Sequence, residues 1–307
     1  MKTHPLRITE RENPAAASLE EKSALAILHV INHEDHKVAP AVKKVIPQIA
    51  RAVDLATEAL ARGGRLIYLG TGTSGRLGVL DAAECIPTFN TDRVLCVMAG
   101  APKSVFRPSE VSEDDPRLAV RDLRRIKLSA RDALVGISAS GRTPYTLGGM
   151  RYARKLGAKT VALTSNPDAP IRKAADVAIV PVVGPEIVAG SSRMKAGTAQ
   201  KLVLNMISTA SMLRLGRVVS GRMITLRIGN AKLRERGRHI VMQAARVTAR
   251  QAATALERAG QSVPVALLML NKGLSRPQAQ EQLSGGLNVA TVLRAASKAP
   301  LRRAKRR

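Results

Sequence analysis

Three stretches of the chain bring glycines, hydroxyls and charged groups together densely enough to suggest chemistry. Gly70-Thr71-Gly72-Thr73-Ser74-Gly75-Arg76 follows a short apolar run, Leu66-Ile67-Tyr68-Leu69, and leads into a helical pattern. Ser138-Ala139-Ser140-Gly141-Arg142-Thr143-Pro144 does the same after another such run at 134–137. A loop of this kind offers backbone N–H groups, hydroxyls and a helix N-terminus to one anion, and Arg76 and Arg142 stand nearby in sequence. Phosphate is the natural guest, and two equivalent loops in one sheet argue for it more strongly than either alone. The third stretch, 184–198, holds Glu186, Ser191, Ser192, Arg193 and Lys195 ahead of a long helical pattern. Ser191 or Ser192 suits a helix N-cap. Arg193 and Lys195 oppose the helix dipole there, which points to an anionic ligand as the alternative.

Two groups of acids lie near these loops. Glu84 falls at the end of the helix that starts on the first loop, beside Cys85, Ile86 and Phe89, with Pro87 expected to turn the chain just after it. Such surroundings would desolvate a carboxyl, raise its pKa and suit a general acid. Glu110, Glu113, Asp114 and Asp115 precede Pro116 and also read as an acidic helix start. Gly70, Gly72 and Gly75 satisfy the dinucleotide fingerprint, but that motif needs an acid at the end of the next strand. The next run, 94–98, ends in Ala99-Gly100-Ala101, so the nicotinamide reading lacks its ribose contact. No Gly-Lys-Ser/Thr follows any strand, which removes a P-loop.

The elements that must position these groups show in the periodicity. Apolar runs at 66–69, 94–98, 134–137, 160–163 and 177–182 alternate with helical segments such as 144–156. This is the pattern of a doubly wound α/β fold, a parallel sheet with helices on both faces. Before it, an extended arm covers residues 1–20, a short helix 19–31, and a longer helix starts at Pro40 and kinks at Pro47. A helix is expected over 191–215. Beyond Gly221 the strand signals stop, and 224–233, 240–259, 263–271 and 275–283 read as helices of an all-α C-terminal region.

Composition bounds the function. The 307 residues are 45% hydrophobic with no long apolar run, which excludes a disordered chain and a membrane span. The N-terminus lacks the apolar core of a secretory signal, and Cys85 and Cys96 read as core fillers, so a reducing cytoplasm is expected. The net charge of +27 suggests polyanions, yet aromatics are 2% of residues and the basic residues are dispersed. Nucleic acid is therefore not the expected partner. His29 and His33 lack a third ligand, and no metal site is expected.

The motifs GRLIYLGTGTSGRLGVLDAAECIPTF, SASGRTPYTLGGMRYARKLG and GPEIVAGSSRMKAGTAQKLVLNM resemble those of the N-acetylmuramic acid 6-phosphate etherases, within the sugar isomerase (SIS) superfamily. The glucokinase regulatory proteins are more distant relatives. The likeness runs from about Thr9 to about residue 295. It implies cleavage of a D-lactyl ether on a phosphorylated amino sugar by elimination and then hydration, in amino-sugar catabolism and peptidoglycan recycling, with no metal or redox cofactor. It places the proton donor at Glu84 and the second acid at Glu113, with Glu110 as fallback. It maps the phosphate loop onto Ser138, Ser140 and Thr143, with Thr73 and Ser74 from the first loop. Arg76, Arg142, Glu186, Ser191, Ser192, Arg193 and Lys195 remain as further substrate contacts. A homodimer is implied. The chain departs from the family in Ile86-Pro87 and in Val111-Ser112 between the acids. The expected organisation is an N-terminal arm and helices (1–58), an SIS domain (59–222), a helical domain (223–298) and a basic tail (299–307). A non-catalytic sugar-phosphate-binding regulator is the alternative function.

Overall fold

A computed structural model describes residues 7–107, 112–219, 221–226 and 228–284. Glu110 and the basic tail therefore lie outside the described residues. The chain divides into two compact units, one of residues 1–83 and 93–209, the other of 84–92 and 210–307.

The first unit is built on five parallel strands, β1 (Leu66–Gly70), β2 (Val94–Met98), β3 (Ala133–Ile137), β4 (Lys159–Leu163) and β5 (Val177–Ile179), in the order β2-β1-β3-β4-β5. Each is a nearly continuous apolar run, as a sheet covered on both faces requires. Register follows from it, with Leu66 opposite both Val94 and Ala133, and Gly70 opposite both Met98 and Ile137. The strand order reverses at β1, so a crevice opens beyond the carboxyl ends of β1 and β3, where doubly wound sheets hold their ligands.

Helices α1 (Ala24–Asp35), α2 (Val38–Lys43) and α3 (Ile46–Ala61) precede the sheet. The expected kinked helix is two helices, because Pro47 sits in the first turn of α3, where its missing N–H costs nothing. Residues 8–21 form three short 3-10 turns in place of an extended arm. The α4 helix (Gly72–Phe89) follows β1, α5 (Lys103–Phe106) follows β2, and α6 (Pro116–Arg125) and α7 (Pro144–Lys155) flank β3. Leu123 of α6 and Tyr145 and Met150 of α7 pack with Ile67, Leu69 and Leu134 on one face of the sheet. Tyr68 points to the other face, where its hydroxyl donates to Asp81 of α4 at 2.7 Å. Asp81 also accepts from Asn205 and Ser208 of α8 (Lys195–Arg214), so one buried carboxylate joins a strand and two helices. Cys96 of β2 donates to the Gly75 carbonyl, and burial pushes its thiol up to about 12.

In the second unit Val218–Val219 and Arg222–Met223 pair as a minimal antiparallel hairpin, β6 and β7, a strand signal too short to read by periodicity. Four helices follow, α9 (Ala231–Ala245), α10 (Ala249–Arg258), α11 (Val263–Lys272) and α12 (Arg276–Ser284). Their core includes Ile240, Val241, Leu256, Val263, Leu267 and Leu268. Residues 224–226 and 228–230, expected to be helical, lie before α9, whose start Asn230 caps by accepting from the Leu233 N–H. No helix among the described residues is long and apolar enough to cross a membrane.

Candidate functional site

A cleft of about 220 Å³ occupies the crevice at the sheet's reversal point. The loop after β1 and the first turn of α4 contribute Thr71, Gly72, Thr73 and Ser74, and the loop after β3 contributes Ser138, Ala139, Ser140 and Thr143. Glu113, Ser192, Thr9 and Glu10 complete the lining. The first-turn N–H groups of α4 have no intrahelical acceptor and carry the positive end of the helix dipole.

The second loop is held by its own hydroxyls. Ser138 Oγ accepts from the Gly141 N–H at 3.0 Å and shares hydrogen bonds with Thr143 Oγ1 at 3.0 Å and Ser140 Oγ at 3.4 Å. Gly141 is required there: its φ is +63°, and a Cβ would lie 2.4 Å from that of Ala169. Ser74 Oγ donates to Gln200 Oε1 at 3.0 Å, which fixes the first loop against α8. Thr73, Ser74, Ser138, Ser140 and Thr143 thus converge on one cleft from two loops far apart in sequence.

Glu113 is half-buried, and its backbone carbonyl accepts the Tyr145 N–H at 3.0 Å, tying its loop to the start of α7. A Cβ on Gly72, whose φ is +49°, would stand 3.4 Å from Glu113 Oε1. The carboxylate therefore lies against the N-terminal turn of α4, inside the cleft. Glu84 does not line it. It is exposed, about 18 Å of helix rise from Gly72 along α4, and the expected desolvation beside Ile86 and a turn at Pro87 does not occur. The helix runs on to Phe89 past Pro87, which forfeits its one backbone hydrogen bond only two residues from the helix end, and Ile86 itself is exposed.

The other expected contacts separate into two groups. Ser192 lines the cleft. Arg76 is turned away and donates to the carbonyls of Ser104 at 2.9 Å and Val105 at 2.8 Å, bracing α5. Ser191, Arg193 and Arg142 are absent from the lining, and the last two are exposed. Neither Ser191 nor Ser192 caps α8, which begins later than expected. Glu186 takes that part, its buried carboxylate accepting from the N–H groups of Lys195 at 3.0 Å and Ala196 at 2.9 Å. Burial pushes the Glu186 carboxyl up, against those hydrogen bonds. Lys195 is 2% exposed and ion-paired to Glu34, so it meets a protein carboxylate rather than a ligand. Burial alone would raise Glu34, but hydrogen bonds from Lys195, Lys37 and Asn13 hold its carboxyl down to about 2.

That ionic strut anchors two cleft residues that sequence reasoning missed. Asn13 Nδ2 donates to Glu34 at 2.9 Å and to the Pro185 carbonyl at 3.0 Å. The Gly190 N–H donates to the Thr9 carbonyl at 2.9 Å, and Asn166 to Thr9 Oγ1 at 3.4 Å. Thr9 and Glu10 are thereby laid across the cleft. Their signal was slight, one Thr-Glu pair in a polar arm with no periodicity to link it to loops at 72 and 138. Among the described residues no basic side chain lines the cleft, and the donors they offer an anion are neutral hydroxyls and N–H groups. A larger cavity of about 510 Å³ in the helical unit, lined by Arg250, Thr254, Arg258, Met269 and Leu274 among others, includes no acid among the described residues.

The parallel sheet and its two hydroxyl-rich loops lie within stretches that match sugar isomerase (SIS) domains. Residues 48–154 match the glucokinase regulatory protein N-terminal SIS domain and residues 115–210 match the SIS domain. Among solved structures, a putative phosphosugar isomerase from Bacteroides fragilis aligns at 22% identity and a TM-score of 0.49, over 64% of this chain and 94% of that one. The N-acetylmuramic acid 6-phosphate etherase of Edwardsiella ictaluri is 53% identical over 278 residues, 90% of this chain and 93% of that protein. The same-named protein of Yersinia pestis (strain Pestoides F) is 51% identical, over 90% of this chain and 94% of its own length. The chain belongs to the N-acetylmuramic acid 6-phosphate etherase family and is an enzyme of the carbon-oxygen lyase type.

Proposed function

We propose that the enzyme cleaves the D-lactyl ether of N-acetylmuramic acid 6-phosphate with water, giving N-acetylglucosamine 6-phosphate and D-lactate. The observation that carries this reading is the cleft itself, where a hydroxyl and N–H cradle for phosphate meets the carboxylate of Glu113. The phosphate docks on Ser138, Ser140 and Thr143 and on the N-terminal turn of α4 with Thr73 and Ser74. In the open-chain aldehyde the C2 proton is acidified. A carboxylate removes it, the C3–O bond breaks, and its electron pair leaves on the lactate oxygen, which takes a proton from a carboxylic acid. Water then adds at C3 and a proton returns to C2. Glu113 is the base at C2 and the group that activates water.

Glu84, exposed on α4, is read as the proton donor, reaching the cleft of a second copy rather than its own. Leu80 and Ile86, 50% and 41% exposed beside it on α4, supply apolar surface for such a homodimer. Mixing Glu84→Gln with Glu113→Gln protein tests this. Each variant alone should release almost no lactate. Random mixed dimers should recover about a quarter of wild-type activity, since one of their two clefts is intact. No recovery, or no lactate from the wild type, refutes the corresponding part of the reading.

A further inference from the structure

The cleft contains a second carboxylate from the same chain, Glu10, which the elimination chemistry above does not use. It arrives on a 3-10 turn, Ile8–Glu10, at the end of an arm anchored through Thr9 and Asn13. Thr9 is buried, so the backbone beside Glu10 is fixed. The Glu10 side chain accepts from Thr9 Oγ1 at 3.2 Å, and its Oε2 lies where a Cβ on Gly190 would be 3.2 Å away. A side chain at Gly190 would crowd it. These contacts leave the carboxylate with acceptor capacity on the cleft side.

A carboxylate cannot serve the phosphate, which it would repel, particularly where none of the described lining residues is a Lys or Arg that offsets the charge. The part of a phosphorylated amino sugar that suits it is the neutral polyol, whose adjacent hydroxyls can donate to both carboxylate oxygens. We infer that Glu10 is a substrate-contacting, specificity-determining residue that accepts hydrogen bonds from the sugar's hydroxyls in the cleft. It rests on the proposed reading that the cleft holds a sugar phosphate. The arm thereby closes the site on the sugar, and the ionic strut of Glu34 and Lys195 beneath it is what holds the arm in place.

The test compares wild type, Glu10→Ala and Glu10→Gln by calorimetric titration with N-acetylglucosamine 6-phosphate and with inorganic phosphate, alongside lactate release. Glu10→Ala should weaken the sugar phosphate and raise KM by about 10–100-fold, as expected for losing hydrogen bonds to a charged acceptor. Inorganic phosphate should bind it as well as wild type or more tightly. Glu10→Gln, which keeps the shape and one acceptor, should recover part of the loss. Sugar-phosphate affinity within twofold of wild type in Glu10→Ala would overturn the inference. So would a parallel loss of inorganic phosphate, which would mean that the whole cleft had collapsed. Wild type that binds inorganic phosphate but not the sugar phosphate would overturn both this and the functional reading, and a wild type that binds both without releasing lactate would overturn only the latter.

Discussion

The cleft and the ionic strut near it are both rich in polar groups, yet they are arranged in opposite ways. In the strut, Glu34 is matched by Lys195, Lys37 and Asn13, and the Glu186 carboxylate by two backbone N–H groups at the start of α8. In the cleft, Ser138, Ser140 and Thr143 bond mainly to one another, and Glu113 and Glu10 face open space. Charges that close on each other hold structure; neutral donors with acceptor partners still to come make a binding site. The lesson is that charge near a helix start, which in sequence resembles a ligand contact, belongs here to the scaffold.

Breaking each side should therefore give different symptoms. Glu113→Gln should lower kcat by about 10²–10⁴-fold with the melting temperature unchanged, measured by lactate release and thermal unfolding. An equal drop in stability would place Glu113 with the strut instead. Lys195→Met removes the buried cation beside Glu34, leaving Lys37 and Asn13 as its partners, and should cost about 3 kcal/mol. For a chain of this size that corresponds to about 6–12 °C in Tm. Activity at low temperature should largely survive.

Ser138→Ala removes one donor to the phosphate and one acceptor for the Gly141 N–H. A rise in KM of about 10-fold with little change in kcat is expected. The smallest effect concerns acid. Glu34 has its folded pKa held at about 2, below its ordinary value of 4.5, so its contribution to stability is complete above about pH 4.5. It is lost as pH falls toward 2, whereas Glu186, raised by burial, acts in the opposite direction. Between pH 5 and pH 3 the wild type should lose Tm more steeply than Glu34→Gln. Equal slopes would show that the strut carries no ionised carboxylate.

The sheet was legible because each strand is a short, mostly apolar run set between helical patterns, and the two loops because their glycines and hydroxyls cluster locally. Proline misled twice, at Pro47 and at Pro87, since its effect depends on which turn of a helix it occupies and sequence does not number the turns. The α8 start was misplaced because its cap comes from Glu186, outside the helix, rather than from the adjacent serines. Glu10 and Thr9 went unseen for a related reason. They reach the cleft through long-range bonds of Thr9 to Asn166 and Gly190 and of Asn13 to Pro185, and no local period encodes those.

Cys96 has a practical consequence. A thiol held near 12 carries almost no thiolate at neutral pH, and Cys85, the other cysteine, is buried. Native enzyme should therefore resist iodoacetamide and mild peroxide and keep its activity on the bench without added reductant.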